Sequence, residues 1–305
     1  MTPHYRRWRF LIIVIGKMPL IDAATLVRHA HRHRYCVVQI NTNGGTYDIT
    51  RAIVEVAEEL NSPVILGAYE ANLGYRGYDY AAMQMRFFAE RAKVPVAIHL
   101  DHGSSVEACQ KAIDAGFTSV MIDGSHSPIE QNIDLVKSVV AIAKPRGVSV
   151  EAEVGELQKL NPDGSVAEAK NLSDPAEVAA MSETGIDMLA VGIGNAHGFY
   201  KDAPNIRFDM LEKYAAVSKV PLVLHGTTGL ADDVIQRCIA MGMAKANLGT
   251  LIRTRCVEHM RDVIAENEHK NHPWRVGMAV KDRLKPDIRH ILTITGSAGR
   301  GGDVR

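Results

Sequence analysis

The sequence predicts an α/β protein folded as a closed (β/α)8 barrel, on two observations. From residue 20 onward, short and nearly continuous apolar runs alternate with amphipathic stretches of helical length, and such runs mark parallel strands buried on both faces. The alternation repeats eight times, which favours closure into a barrel over an open doubly wound sheet. No Gly-rich GxGxxG turn follows the first strand, which weakens a dinucleotide-binding alternative.

In chain order, strands are expected at 36–40, 64–67, 95–100, 119–122, 148–154, 188–192, 221–224 and 244–248. Pro63, Pro95 and Pro221 stand at strand starts, where a missing N–H costs little. Helical patterns fall between them, among others at 50–59, 106–115, 131–144 and 231–241. Two more, at 250–267 and 274–284, follow the last strand. Arg6, Arg7 and Arg9 precede an apolar run at 10–15. That run is shorter than the roughly 7–15 residues of a signal-peptide core and far too short to span a bilayer. Residues 1–17 are therefore expected to lie outside the fold. The domain opens at Met18 and covers 18–298, and 299–305, at the end of the glycine-rich run from Gly296, is expected to be loose.

The 305 residues suit one such barrel, with 46% hydrophobic and 23% charged residues. Lys plus Arg and Asp plus Glu are 35 each, so no global field draws the chain to nucleic acid. A local anion site stays open, because helix N-termini bind phosphate without net charge. Cys36, Cys109, Cys238 and Cys256 form no CxxC pair and read as reduced, mostly buried thiols of a cytoplasmic protein. No stretch is long and apolar enough to cross a membrane.

The chemistry lies at the C-terminal strand ends. The third strand ends in His99-Leu100-Asp101-His102-Gly103 and the fourth in Asp123-Gly124-Ser125-His126. The fifth carries Glu151-Ala152-Glu153-Val154-Gly155, the sixth runs into Gly194-Asn195-Ala196-His197-Gly198, and the seventh into Leu224-His225-Gly226. In a barrel these ends converge on one mouth, and imidazole nitrogens favour zinc. A lone histidine at such a place is more often an ordinary hydrogen-bonded group, and a lone aspartate is often a helix N-cap. Coincidence weakens when His102, His197 and His225 all reach one rim. His99 lies deeper in the wall, His29, His31 and His33 read as a solvated helix face, and His126 reads as ordinary surface.

The segments HLDHGSS, AIDAGFTSVMIDGSH, PIEQNI, VEAEVGEL, GNAHGFYK, LHGTTGL and KANLGT, in this order, resemble the class II fructose- and tagatose-bisphosphate aldolases. The resemblance runs from about Met18 to Gly296. It implies that His102, His197 and His225 bind a catalytic Zn²⁺ and that Asp101 is the general acid/base for the aldehyde-derived hydroxyl. Asp123 and Glu153 match carboxylates that hold the zinc in a second position in some members. A second divalent or a monovalent cation is a further expected cofactor. Gly198, Gly226, Thr228, Asn247 and Thr250 match positions that cradle the dihydroxyacetone phosphate half, and Asn41 matches a substrate-side asparagine. The implied partners are a sugar phosphate and copies of the same chain, as a homodimer or homotetramer. The residue types suit the reaction. Breaking a carbon–carbon bond beside a ketone leaves an oxyanion that a Lewis acid stabilises, and no strand-end lysine other than Lys245 offers the Schiff-base route.

Three departures from the family pattern bear on the substrate. The family's Gly-Gly and acidic pair after the fifth strand are absent from Glu156-Leu157-Gln158-Lys159-Leu160-Asn161-Pro162-Asp163-Gly164. Its proton-moving glutamate falls on Asn161 or Pro162, with Asp163 or Glu156 as substitutes. The Gly-Gly-Ser of the phosphate site reads Gly226-Thr227-Thr228, and a second-strand serine is replaced by Tyr69. The expectation is an intact metal and acid with a reshaped substrate pocket. Alternatives are an aldolase for a modified or deoxy-keto sugar phosphate, or a barrel that binds a sugar phosphate with weakened catalysis.

Overall fold

The computed structural model describes residues 20–155, 157–159, 172–266 and 272–304. Residues 1–17, and 156 and 160–164 of the segment after the fifth strand, lie outside that set. Eight parallel strands close into a barrel: β1 (Val37–Asn41), β2 (Val64–Tyr69), β3 (Val96–Gly103), β4 (Ser119–Ile122), β5 (Ser149–Val154), β7 (Met188–Val191), β9 (Leu222–Leu224) and β10 (Met243–Leu248). Each coincides with an expected strand to within a few residues. Two short strands, β6 (Gln158–Lys159) and β8 (Ala196–His197), pair with each other above the rim. No helix among the described residues is long and apolar enough to cross a membrane.

Helices α1 (Ala23–His33), α2 (Tyr47–Glu59), α3 (Glu70–Arg76), α4 (Tyr78–Ala89), α5 (Val106–Ala115), α6 (Ile129–Ala143), α7 (Pro175–Ser182), α8 (Phe208–Val217), α9 (Asp232–Ala240), α10 (Thr250–Glu266) and α11 (Pro273–Ile294) complete the barrel. Side-chain caps start several of them. Asp22 accepts from the Thr25 N–H at 2.9 Å, and Ser105 accepts from the Ala108 N–H at 3.1 Å. The last helix runs past its expected end at 284, through Pro286. Ile288, Ile291 and Leu292 beyond the proline are buried, and that apolar stripe outweighs the backbone bond a proline removes.

The main core lies between strands and outer helices. A smaller one forms where α1 plugs the N-terminal end of the barrel, against Val37, Ile65, Ala97, Met188, Val223 and Ala244. Side chains two apart on a strand share a face, so the same inward rows continue upward and turn polar. Val37 leads to Gln39 and Asn41, Ala97 to His99 and Asp101, and Ser149 to Glu151 and Glu153. Gln39, His99 and Glu151 are fully buried, and the rows end at the mouth.

Two surface expectations change. His29 is buried, with Nδ1 3.0 Å from the Tyr35 hydroxyl, because α1 turns that side inward against the plugged end. The C-terminal run also packs. Gly299 and Gly301 donate to the carbonyls of Leu60 and Asn61 at 2.9 and 2.7 Å, and Val304 is buried in the smaller core. Its glycines make a tight path along the barrel's lower end rather than slack. All four cysteines are free thiols and buried.

Candidate active site

An irregularity in β3 makes the site possible. Adjacent strand residues normally face opposite ways, yet Asp101 and His102 both line the mouth. His102 has φ of 52°, a left-handed backbone that costs a non-glycine residue energy and often marks function. The register between β3 and β4 shifts at this point, between Leu100 and Gly103. A second tight passage is Gly226, at φ 64°, where a Cβ would collide with the Ala196 carbonyl oxygen.

The rings of His102, His197 and His225 gather at the mouth. Their centroids are 5.1 Å apart for His102 and His197, 4.9 Å for His102 and His225, and 6.0 Å for His197 and His225. One nitrogen from each lies within 4.8 Å of the others, and His102, Asp123 and Glu153 form a second group of the same kind. The outer nitrogens of two rings face carboxylates. His102 Nδ1 lies 2.8 Å from Asp123 Oδ2, and His225 Nε2 lies 2.8 Å from Glu151 Oε1. Protons belong on those outer nitrogens, so both inner nitrogens carry lone pairs. These inner nitrogens, His102 Nε2 and His225 Nδ1, are 3.2 Å apart. Facing lone pairs at that distance need a cation, either a proton or a metal ion. The donor set therefore fits a metal. The buried Glu153 Oε2, which has no hydrogen-bond partner, fits it too.

The electrostatics agree. Burial opposes charge on His102, yet Asp101, Asp123 and Glu153 raise its pKa to about 10, so the pocket stabilises positive charge there. Burial lowers His225, and burial with the two neighbouring rings lowers His197 to about 3. Both suit neutral ligands. Burial and then Asp123 push Glu153 up to about 8. For Asp101, burial acts upward, but His102, His225, Lys245 and Asn41 outweigh it and hold the carboxyl well below the usual range. Both of its oxygens take amide donors, Asn41 Nδ2 at 2.7 Å and Asn247 Nδ2 at 3.1 Å.

A cavity of about 580 Å³ is lined by Asn41, Asp101, His102, Asp123, Glu153, His197, Gly198, His225, Gly226, Thr228, Asn247 and Thr250, all expected at the site, while Glu156 and Asn161, Pro162 and Asp163 lie outside the described residues. Asp123 Oδ2 faces His102 Nδ1 and its Oδ1 accepts from Ser125, and the same carboxylate belongs to the second group of possible metal ligands. The sequence did not single out Ser104, Ser125, Arg253 or the layer beneath the site. Arg253 lies one helical turn past Thr250, which was the available signal. Beneath the rings, Lys245 Nζ lies 2.8 Å from Glu151 Oε2 and donates to Asn247 Oδ1 at 2.7 Å. A lysine inside an otherwise apolar strand was its only trace.

The chain is similar over nearly its whole length to aldolases, and it is an enzyme of that class. It is 39% identical over 286 residues to the 6-phospho-5-dehydro-2-deoxy-D-gluconate aldolase of Bacillus licheniformis, covering 93% of this chain and 97% of that one. It is equally similar, over 287 residues, to a fructose-bisphosphate aldolase of Staphylococcus epidermidis, covering 93% and 99%. The crystal structure of the YdjI aldolase from Escherichia coli K12 superposes with a TM-score of 0.81 at 30% identity, covering 93% and 100%. Residues 21–300 match the model of the class-II fructose-bisphosphate aldolases, and the chain belongs to that generally metal-dependent family.

Proposed function

We propose that this aldolase is zinc-dependent and cleaves or forms a ketose phosphate or bisphosphate, with dihydroxyacetone phosphate and an aldehyde as the other side of the reaction. The observation that supports it most is the pairing of converging imidazoles with an ionised Asp101 held by two amides. His102, His197 and His225 would hold the zinc. When bound, it supplies Lewis-acid stabilisation of the negative charge that develops on the ketone oxygen.

The protein's own groups account for the rest. In cleavage, Asp101 takes the proton of the hydroxyl on the carbon that becomes the aldehyde. The O–H electron pair forms the new carbonyl, the carbon–carbon bond breaks, and its electrons pass into the ketone half. Asp101 returns the proton in condensation. Asn41 and Asn247 fix the carboxylate so that neither oxygen turns away. The phosphate of the ketone half fits the loops after the last two barrel strands, where barrels commonly bind phosphate. Gly226, Thr228 and Thr250 line that corner, Gly198 lines the same cavity from the loop after the sixth barrel strand, and α10 begins at Thr250 with its N-terminal dipole. Protonating the ketone half at carbon needs a second acid, and the family's position for it falls among residues outside the described set. A second position for the zinc at Asp123 and Glu153, a further divalent or monovalent cation, a homodimeric or homotetrameric state and a cytoplasmic setting belong to the same proposal.

The test is release of dihydroxyacetone phosphate from fructose, tagatose and other ketose phosphates, with and without chelator. Release that stops with chelator and returns with zinc supports the reading. Release that persists after complete metal removal refutes the zinc assignment.

A further inference from the structure

The proposed reaction fixes two points of a bound substrate, its phosphate beside Thr228 and Thr250 and its reacting hydroxyl at Asp101. The aldehyde half therefore extends beyond Asp101, toward Tyr69, Ser104 and Ser125, all of which line the same cavity. Tyr69 is the register partner of Asp101 on the neighbouring strand. Its ring stands edge-on to His102, at 6.0 Å and 85°. Ser104 and Ser125 look at first like anion donors. Both are already turned to carboxylates. The Ser104 N–H and hydroxyl donate to Glu70 at 2.5 and 3.1 Å. The Ser125 N–H and hydroxyl donate to Asp123 at 3.1 and 2.7 Å. Arg253 lines the same cavity from α10, one helical turn past Thr250.

A phosphate at this end would thus meet two carboxylates and displace one of them from its donors. A hydroxyl would meet no such penalty, since it can donate to a carboxylate and accept from the Tyr69 phenol. We propose that Tyr69 and Glu70 make the aldehyde end selective for an uncharged hydroxyaldehyde, so that the ketose handled carries one phosphate rather than two. This rests on the function proposed above and narrows its substrate. Specificity arises here through repulsion built against the wrong partner.

The experiment measures condensation of dihydroxyacetone phosphate with glyceraldehyde and with glyceraldehyde 3-phosphate, in the zinc-loaded wild type and in Tyr69→Ser and Glu70→Gln. The wild type is expected to favour the uncharged aldehyde in kcat/KM by about tenfold or more, and each variant to move that ratio toward the phosphorylated one. Tyr69 is 41% exposed, so its replacement does not open the core. Preference of the wild type for the phosphorylated aldehyde, or a ratio that neither variant moves, overturns the inference. Exchange of a hydroxymethyl proton of dihydroxyacetone phosphate with solvent deuterium needs no aldehyde and separates the two levels. Exchange with the wrong preference sinks only the inference, while no exchange sinks the proposed function with it.

Discussion

Asn41 donates its side-chain amide to Asp101 Oδ2 at 2.7 Å, joining two residues 60 positions apart in sequence. Gly67 lies between their strands, and a Cβ there would collide with the Asn41 side-chain oxygen. Asp101→Asn should keep its metal and slow cleavage by roughly 10²–10⁴-fold, the usual range for a general acid–base group. Asn41→Ala and Gly67→Ala should each give a smaller loss of the same kind. Coupled assays with metal analysis on the same samples check this, and full turnover in Asp101→Asn would remove that residue from the mechanism.

Loss of one imidazole should cost the metal. His225→Ala leaves two rings and strips Glu151 Oε1 of the imidazole it faces, so bound zinc measured by plasma mass spectrometry should fall well below one per chain. In the wild type, zinc that binds only the folded chain should raise the melting temperature with concentration. A His225→Ala protein that keeps stoichiometric zinc would show that the ligands lie elsewhere.

The Lys245–Glu151 pair should be costly to break. Both side chains are 0% exposed, and removing one partner of a buried pair typically destabilises by about 3–5 kcal/mol. Lys245→Met should shift the denaturation midpoint by that order, and adding Glu151→Gln should recover part of it. A Lys245→Met protein as stable as the wild type would mean that the charge is dispensable.

Acid should loosen the clasp between α2 and α11. Burial acts upward on Glu55, but hydrogen bonds from Lys281, Lys285 and Arg51 outweigh it and lower its pKa from 4.5 to about 2. A depressed folded-state pKa means a contribution fully present above 4.5 and lost as pH falls toward about 2. Glu55→Gln should remove that component, so its stability should decline less steeply than the wild type's across that window. Parallel acid curves for the two proteins would show that the pair contributes nothing to stability.

Much of this was legible because a parallel barrel writes itself plainly. The strands are buried on both faces and read as apolar runs, and the residues that follow them must meet at one mouth. His102, His197 and His225 could be placed on a common rim for that reason alone. Contacts across the barrel interior were not legible. Nothing local announces that Lys245 meets Glu151, or that His102 takes a left-handed backbone, since both follow from the register of strands distant in sequence. The buried His29 was misread for a similar reason. Charged neighbours on α1 suggest a wet face, while the partner that buries it, Tyr35, becomes visible only once the helix lies across the barrel's end.

The pairing of β6 with β8 has a mechanical side. It ties Lys159 to His197 in register, so the chain leaving β5 is stitched to the strand that presents one of the three rings. Tension on either is transmitted to the other. Occupancy of the three-ring centre should therefore be felt along β6, and a spectroscopic label placed on that strand should report what is bound across the pairing.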